Sequence, residues 1–271
     1  MPQPCFALQT FTIRKFMTSP AAIEAGIARV SGMGLKAIEL AYIKLRPAEI
    51  DAVERACKKH GVVVGSTQIT FDVLNKQRDW VLKLHEQLGC ETTSVSVLPF
   101  PVIFGQRDRL LRFAEQLDAL GDYYRQRGVQ LCYHHHDFEL RRYGDELGLD
   151  LLMQNTAVDN VALVLDTYWT ARGGRSPQDA ISNLGGRVKV VHLRDFALHW
   201  KYFRLTPSDA ALGSGNLDFS RIVDSCVANN VQYMAIEQDT DKPFEEVAGS
   251  IAHLKHLGYE TLFQHNTGTS A

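Results

Sequence analysis

The sequence predicts one α/β domain over residues 1–271, a closed (β/α)8 or TIM barrel, and three observations lead to this fold. Short apolar runs of strand length alternate eight times with longer amphipathic segments, a pattern typical of βαβ units with a parallel sheet. The chain length of 271 residues is close to the ~250 residues common for such barrels. Arg14, Lys15 and Phe16 follow the first run. They replace the glycine-rich phosphate loop that an open doubly wound sheet normally carries there.

The elements can be assigned in chain order from these alternations. Strands are predicted at residues 6–13, 36–40, 62–67, 92–98, 129–133, 161–165, 188–191 and 233–236. Helices are predicted at residues 21–33, 47–60, 71–88, 108–127, 145–154, 177–185, from 218 onward, and 243–257. Glycines at 61, 89 and 128 are typical helix ends. A long connection, residues 195–216, precedes the seventh helix, and residues 264–271 are predicted to form a frayed tail.

Composition narrows the class of protein. Hydrophobic residues make up 45% and charged residues 22% of the chain, as in ordinary globular domains. The formal net charge of -2 provides no basic field, so no nucleic-acid or anionic membrane partner is expected. We find no basic leader and no uninterrupted apolar stretch of ~18 residues, so neither a signal peptide nor a membrane span is predicted.

The five cysteines are odd in number, scattered, and contain no CxxC pair. They are therefore expected to be buried reduced thiols, which favours a cytoplasmic location. Within the helix predicted at 71–88, His85 is expected to be a surface or interface residue. A homodimer is predicted only from the frequency of such assemblies among soluble proteins.

Four strands run directly into residues that bind metals or transfer protons: His134, Asp166, His192 and Glu237. Any one polar residue at a strand end is most simply explained by an exposed loop. Four on successive strands are different, because the carboxyl ends of barrel strands meet at one mouth, where active sites lie. Imidazole and carboxylate ligands suit Mn, Zn, Co or Fe better than Ca. We therefore predict one divalent metal of that group.

The segment from His134 to Glu139 is the densest in possible ligands. Alternation along an extended chain predicts that His134 and His136 face one side and His135 the other. Glu139 lies past the strand, in a position to fold back over the mouth as a ligand or catalytic group. A base that is unprotonated near neutral pH suits His136 or Glu237. At least one histidine of the triplet is expected to bond the backbone or a carboxylate instead.

Further residues near the predicted mouth are candidates for substrate binding. The planar fork of Arg194 suits an acidic group or hydroxyl of a substrate, although an ion pair with a rim carboxylate is equally compatible; Asp195 follows it. Trp169 is placed either to stack on a sugar or to pack. Gly213 and Gly215 precede a helix start, where a phosphate can bind, but a lone GxG is a weak motif. Glu39 is a second-tier candidate that ends the second strand.

Several of these segments together resemble one family. Residues 133–140 are similar to the Tyr-His-Asn-His-Asp-Phe-Glu-Phe motif of the xylose-isomerase-like TIM barrels, in the sugar phosphate isomerase/epimerase group that is related to inosose dehydratases and AP endonuclease family 2. Residues 34–40, 165–169, 191–195, 213–218 and 236–239 resemble the same family in order. The resemblance covers nearly the whole chain and is specific for the superfamily rather than for a substrate.

The resemblance implies a divalent metal held by Glu, Asp, His and Glu at the barrel mouth. Asp166, His192 and Glu237 match the last three ligands. His134 occupies the position where many relatives have the first glutamate, so Glu139 or a histidine must fill that role. The same His-His-His run occurs in relatives resembling inosose dehydratase, and this departure weakens the case for the two-glutamate proton shuttle of ketose 3-epimerases.

A metal bound to a sugar carbonyl acidifies the neighbouring C–H and stabilises the enediolate. The predicted function is therefore a metal-dependent sugar isomerase or epimerase, with Glu237 as ligand and base. Three alternatives remain open. They are a dehydratase acting on a keto-sugar or inosose, an abasic-site nuclease, which a net charge of -2 disfavours, and a metal-free barrel that binds a sugar or a partner without chemistry.

Overall fold

The computed structural model describes residues 4–264 and contains a closed parallel barrel, which confirms the predicted fold class. The strands of these residues are β1 (Cys5–Gln9), β2 (Ala37–Leu40), β3 (Val63–Ile69), β4 (Thr92–Val95), β5 (Gln130–His134), β6 (Arg142–Tyr143), β7 (Glu146–Leu147), β8 (Val161–Asp166), β9 (Val188–Leu193), β10 (Asp195–Lys201), β11 (Arg204–Ala210) and β12 (Tyr233–Ile236). The barrel order is β1-β2-β3-β4-β5-β8-β9-β12, closing back onto β1. Every pairing in it is parallel.

Helices connect the barrel strands. They are α1 (Pro20–Gly32), α2 (Pro47–His60), α3 (Phe71–Lys76), α4 (Arg78–Leu88), α5 (Phe100–Ile103), α6 (Arg107–Arg125), α7 (Gly148–Gln154), α8 (Thr167–Arg172), α9 (Pro177–Leu184), α10 (Phe219–Ala228) and α11 (Pro243–His256). Short 3-10 segments occur at Thr10–Phe16, Phe138–Leu140, Gly185–Arg187 and Glu260–Phe263. The uninterrupted apolar run of β8 is buried at all six positions, as expected for a strand covered on both faces.

The first strand is shorter than predicted. It ends at Gln9, whose side-chain oxygen accepts a hydrogen bond from the amide of Phe11 at 2.5 Å and starts a 3-10 turn. The hydroxyl of Thr10 bridges to the backbone of Ala41, 2.7 Å from both its carbonyl oxygen and its amide. These local bonds replace strand pairing over the rest of the predicted range. The fourth strand likewise ends at Val95, before 98.

The helix predicted at 71–88 is two helices, α3 and α4, which meet at Gln77. The Arg78 side chain donates to the carbonyl oxygen of Asn75 at 3.0 Å and to its amide oxygen at 2.6 Å. The Asn75 carbonyl would accept a main-chain hydrogen bond four residues on in a continuous helix. The side chain of Arg78 takes that position instead, and the backbone at Gln77 is not helical, with φ -124° and ψ 41°.

Two predicted segments contain hairpins that the sequence analysis missed. Residues 145–154 begin with strand β7, paired antiparallel to β6, and only α7 is helical. The long connection at 195–216 is mostly the β10–β11 hairpin. Both hairpins lie outside the barrel sheet, so the alternation of eight βα units does not predict them.

Burial confirms one expectation about side chains and corrects another. All five cysteines are free and buried, as predicted. His85 is 2% exposed rather than on the surface, because it sits under the β3–β4 strands with the Thr67 hydroxyl 3.0 Å from its Nε2. No helix among residues 4–264 has the length and apolar character needed to cross a bilayer. Most of the predicted tail, from 265 on, lies outside the described residues.

Candidate metal centre

Four consecutive barrel strands in the sheet order bring four buried side chains together at the carboxyl mouth. His134 ends β5, Asp166 ends β8, His192 lies in β9 and Glu237 follows β12. One ligand atom from each lies within 4.8 Å of the others. Nδ1 of His192 is 2.9 Å from Oε2 of Glu237 and 3.8 Å from Oδ2 of Asp166. Nε2 of His134 is 4.0 Å from the same Asp166 oxygen. The barrel thus assembles the cluster expected from the strand ends.

The facing atoms of this cluster have no hydrogen bond of suitable geometry among the described residues, although Nδ1 of His192 and Oε2 of Glu237 lie 2.9 Å apart. The facing atoms are His134 Nε2, Asp166 Oδ2, His192 Nδ1 and Glu237 Oε2. A buried polar atom without a partner costs about 1–3 kcal/mol, and four such atoms converging on one point need a shared partner. Two imidazole nitrogens and two carboxylate oxygens form a donor set for Mn, Fe, Co or Zn. The residues therefore fit a divalent cation.

Contacts on the far side of each ligand fix its orientation. Nδ1 of His134 is 3.0 Å from the carbonyl oxygen of Ser96, to which it donates, so its Nε2 lone pair faces the cluster. Nε2 of His192 is 2.8 Å from Oε2 of Glu39, which leaves Nδ1 for the cluster. Oδ1 of Asp166 accepts from the amide of Trp169 at 2.9 Å and caps α8. Such outer carboxylate and carbonyl partners are typical of metal-binding histidines.

Glu139 is not brought into this cluster. One of its oxygens accepts from the Tyr133 hydroxyl, and the other accepts from the amide of His136 at 2.8 Å. Burial raises the pKa of the Glu139 carboxyl. Of the alternatives that the sequence left for the first ligand position, the structure places His134 there.

The histidine triplet alternates as predicted. His134 and His136 line the mouth cavity, whereas Nε2 of His135 accepts from the amide of Asp166 at 3.2 Å and lies 3.2 Å from the Thr170 hydroxyl. His135 thus supports Asp166 from behind. Burial lowers the pKa of His135 to about 4 and that of His136 to about 2. Both imidazoles are therefore neutral at physiological pH.

Arg194 lies close to two carboxylates of the cluster. Its NH1 lies 3.4 Å from Oε1 of Glu237 and 3.9 Å from Oδ2 of Asp166. Burial alone would raise the pKa of both carboxyls, but the neighbouring histidines and Arg194 hold the pKa of each below its usual value. Burial opposes protonation of His192, yet the Glu39 and Glu237 carboxylates raise its pKa.

Asp209 holds Arg194 in place. Its two oxygens accept from Nε of Arg194 at 2.7 Å and from NH2 at 3.1 Å. Asp209 lies on β11, and the sequence analysis missed it because its approach to Arg194 depends on the register of a hairpin that was not predicted. The ion pair with a rim carboxylate that was expected as one alternative for Arg194 is present, and Arg194 also lines the cavity; substrate binding by Arg194 stays a prediction.

The cavity at the mouth has a volume of about 850 Å³. Its lining includes His136, Trp169 and Arg194 together with the aromatic side chains of Tyr42 and Trp80. Nδ1 of His136 and Nε1 of Trp169 are buried without a partner among the described residues. These two atoms are available to a polar ligand, as the substrate-binding role proposed for both residues requires.

Asp195 and the two candidate phosphate-binding glycines are engaged elsewhere. The Asp195 carboxylate accepts from the amides of Gly213, Gly215, Asn216 and Leu217 at 3.0–3.1 Å. None of the three predicted residues is among the described residues that line the cavity. A carboxylate of the chain thus occupies the loop amides that the sequence suggested for a phosphate.

The comparisons with known proteins agree with this architecture. The profile of the xylose isomerase-like TIM barrel family matches residues 27–257. Inosose dehydratase from Lacticaseibacillus casei is 34% identical over 88 residues, which are 32% of this chain and only 29% of that protein. The fold is similar to that of a sugar phosphate isomerase/epimerase from Parabacteroides distasonis, with a TM-score of 0.75, 18% identity, and coverage of 97% of this chain and 96% of that one.

A further solved structure has the same fold, a probable 3-DHS dehydratase involved in petrobactin synthesis from Bacillus anthracis. It has a TM-score of 0.73 and 10% identity, and covers 93% of this chain and 98% of that one. At these identities the solved structures support the fold alone. Since the family profile spans most of the chain, this protein belongs to the xylose isomerase-like TIM barrel family.

Proposed function

We propose that this protein is a metal-dependent enzyme that removes the proton next to the carbonyl of a sugar and returns it in an isomerisation or epimerisation. The observation that carries the proposal is the convergence of four buried atoms without partners, from His134, Asp166, His192 and Glu237. When bound there, a divalent ion supplies Lewis acidity that weakens the C–H bond beside a carbonyl. The family to which the chain belongs supports sugar isomerase, epimerase or dehydratase chemistry.

Side chains that line the cavity carry out the remaining steps of the proposed reaction. Glu237 is the candidate base, since Arg194 and His192 keep its carboxyl ionised. His136, which is neutral and has no partner for Nδ1 among the described residues, lines the same cavity and is the candidate second proton carrier. Trp169 offers its indole N–H and ring to the sugar, and Arg194 offers a charged donor to an oxygen beside the carbonyl. The burial of Glu237 and Asp166 strengthens electrostatic interactions made by these groups.

A dehydratase is the second candidate, and one observation favours it. The cluster contains a single glutamate, because His134 fills the fifth-strand position and Glu139 is bonded to Tyr133 and the His136 amide. Two carboxylates on opposite sides of a substrate suit epimerisation, whereas one base and one nearby acid suffice to eliminate water. Local identity with an inosose dehydratase points the same way.

Proton exchange in heavy water tests the proposal. Protein loaded with Mn²⁺ is incubated with a panel of ketoses, keto-sugars and inosose in D₂O, and the products are followed by NMR and mass spectrometry. Deuterium at the carbon beside the carbonyl with no loss of water supports isomerisation or epimerisation, and a product lighter by one water supports the dehydratase. Glu237→Gln should slow exchange at least ~100-fold, the lower range for a general base.

Glu54→Gln serves as the control, because Glu54 lies on the flank of α2 and pairs with Lys58. It should exchange at the wild-type rate. Exchange that persists in full in Glu237→Gln would refute the assignment of the base. Absence of exchange with every member of the panel, in a protein that holds one metal per chain, would reject the proposed reaction for these substrates.

A further inference from the structure

The exposed aromatic side chains of this protein are concentrated at one end of the barrel. Among residues 4–264, six are at least 69% exposed. Three of them form what we call the rim patch, and they follow β2 and β4: Tyr42, Phe100 and Phe104. The other three form the hairpin tip of β10–β11: Trp200, Tyr202 and Phe203. All six lie beyond the carboxyl ends of barrel strands, on the face that contains the metal cluster.

Three of these aromatic residues have an unfavourable backbone conformation. Four non-glycine residues of the described chain have positive φ, and Tyr42 (60°), Tyr202 (49°) and Phe203 (61°) are three of them. Bulky residues are uncommon in that region. A two-residue hairpin loop normally uses Asn-Gly to avoid the cost. Here Tyr202-Phe203 joins the Lys201–Arg204 pair. Outliers of this kind cluster at functional sites.

The β10–β11 hairpin also has an apolar face that is only half covered. Leu198 pairs with Pro207 and Trp200 pairs with Leu205, and directly paired residues share one face of a sheet. At the base of this face, the ring of Phe196 contacts that of Tyr168 with centroids 5.6 Å apart. Toward the tip, Leu198, Trp200 and Leu205 are exposed. The apolar face of the hairpin is therefore covered at its base and exposed toward its tip.

The base of the hairpin is fastened to the barrel on both strands. Asp195 on β10 accepts hydrogen bonds from the amides of the following loop. Asp209 on β11 binds Arg194 through both oxygens and also accepts from the amide of Asp239 at 3.1 Å. With both strands held at the base, the described residues leave the rings of the tip exposed.

We infer that the tip is covered by a second copy of this chain, in a two-fold dimer in which each hairpin tip packs on the rim patch of the other protomer. Aromatic side chains bury ~150–250 Å² each. Six of them at this exposure offer roughly 600–1,000 Å² per chain, which matches the ~800 Å² per partner of a standard stable interface. A two-fold axis satisfies both patches reciprocally.

The arrangement completes the site. Tyr42 lines the cavity beside the metal cluster, so the partner's tip, packed against Tyr42, forms part of the outer cavity wall. The inference goes beyond the proposed reaction and stands or falls without it, because it concerns assembly and is read out by mass.

The first test measures the mass of the full-length chain in solution by light scattering across micromolar concentrations. Wild type should have twice the 30.4 kDa chain mass. The double substitution Tyr202→Asn with Phe203→Gly introduces the preferred turn sequence. The hairpin is therefore kept while two aromatic rings are lost. This variant should be a monomer. Val158→Asn replaces an exposed apolar residue that precedes β8, on the opposite face, and should leave the dimer intact.

The second test establishes which surfaces meet. Tyr42→Cys protein is mixed with Phe203→Cys protein and treated with a short bismaleimide; the native cysteines are all buried. A cross-linked pair in the mixture, and little in either protein alone, is expected. A monomeric wild type, a dimer unaffected by the turn substitution, or efficient linking of Phe203→Cys to itself would each overturn the inference.

Discussion

At the scale of single residues, the candidate metal centre depends on which of its two polar atoms each ligand exposes. Ser96 is hydrogen-bonded to one nitrogen of His134, and Glu39 to one nitrogen of His192. The Trp169 amide donates to one oxygen of Asp166. Each ligand is thereby held in one orientation before any cation arrives. Such preorganisation reduces the ordering cost of binding, so the outer partners are part of the site.

Glu39 should therefore control metal affinity without touching the metal. Replacing it by Gln removes the negative charge behind His192, and loss of such a partner typically weakens metal binding 10–100-fold. The measurement is the Kd for Mn²⁺ or Co²⁺ by calorimetry. Glu139→Gln is the matched buried carboxylate and should change the Kd less than ~3-fold, because its oxygens are bonded to Tyr133 and His136. The opposite ranking would make Glu139 the ligand.

The sequence predicted much of the site, including the alternation of the histidine triplet, but not the direction of side chains outside the strands. Polar residues at strand ends are fixed in place by the barrel, so His134, Asp166, His192 and Glu237 could be chosen together. Glu139 follows the strand in a turn, where the backbone determines whether a side chain points inward, and alternation no longer applies. The ion pair of Asp209 with Arg194 requires two strands to be in register, which a single local motif cannot reveal.

At the scale of elements, helix packing against the barrel makes one glycine indispensable. A Cβ at Gly121 of α6 would lie 2.3 Å from the backbone oxygen of Asn160, whereas a Cβ at Gly249 of α11 meets nothing within 4 Å. We expect Gly121→Ala to lower the free energy of unfolding by about 1–3 kcal/mol through overpacking. Gly249→Ala should raise it by about 0.5–1 kcal/mol through helix propensity.

Urea unfolding of the two alanine variants beside wild type measures both effects. Equal effects of the two substitutions would show that α6 can move away from Asn160 and that the close approach is not needed. The pair is matched, since each places the same methyl group inside a helix.

His85 connects α4 to the barrel and makes stability depend on pH. Burial lowers its pKa from 6.5, while Nδ1 lies 2.7 Å from the Cys90 carbonyl oxygen. Below about pH 6.5 the unfolded chain binds a proton at this histidine that the folded chain does not bind. The stability that neutral His85 contributes is therefore fully present above that pH and is lost as the pH falls. The free energy of unfolding of wild type should therefore fall more steeply on acidification than that of His85→Gln. Parallel pH curves would contradict the assignment.

The predicted elements were right where a single hydrophobic pattern determined the local structure. They were wrong where short-range hydrogen bonds competed with that pattern. The eight strands follow from apolar runs, and β8 is buried throughout. The predicted 71–88 helix is broken because Arg78 bonds the backbone of Asn75, a contact that periodicity does not encode. The β10–β11 hairpin does carry a signal, the alternation of Leu198, Trp200 and Leu205 with polar residues, but it stands inside a segment that was treated as a connection.

At the scale of the whole molecule, the features on which the proposed function depends lie at one end of the barrel. The cluster, the cavity and the exposed aromatic side chains share the carboxyl mouth. Arg194 links them physically, because one side of its guanidinium faces Glu237 and the other is bound to Asp209 at the base of the hairpin. We therefore expect the hairpin and the metal cluster to influence each other through Arg194.

That coupling can be measured by removing the link. Asp209→Asn removes the negative charge that balances Arg194, so the positive charge beside Asp166 and Glu237 is no longer compensated, and we expect weaker binding of Mn²⁺, by several-fold, in calorimetry. Asp209→Glu keeps the charge and should recover most of the affinity. An unchanged Kd in Asp209→Asn would show that the hairpin and the metal cluster act independently.

The measurement that tests the central claim most directly is the metal content of the purified protein, prepared without chelator or a histidine tag, by plasma mass spectrometry. Asp166→Asn is the sharpest variant, because the amide oxygen can keep the cap on α8 while the cluster loses a carboxylate oxygen. We predict about one Mn, Fe, Co or Zn ion per wild-type chain and little in the variant. Wild-type protein that binds none of these ions after equilibration with each, or a variant that binds as much as wild type, would contradict the account.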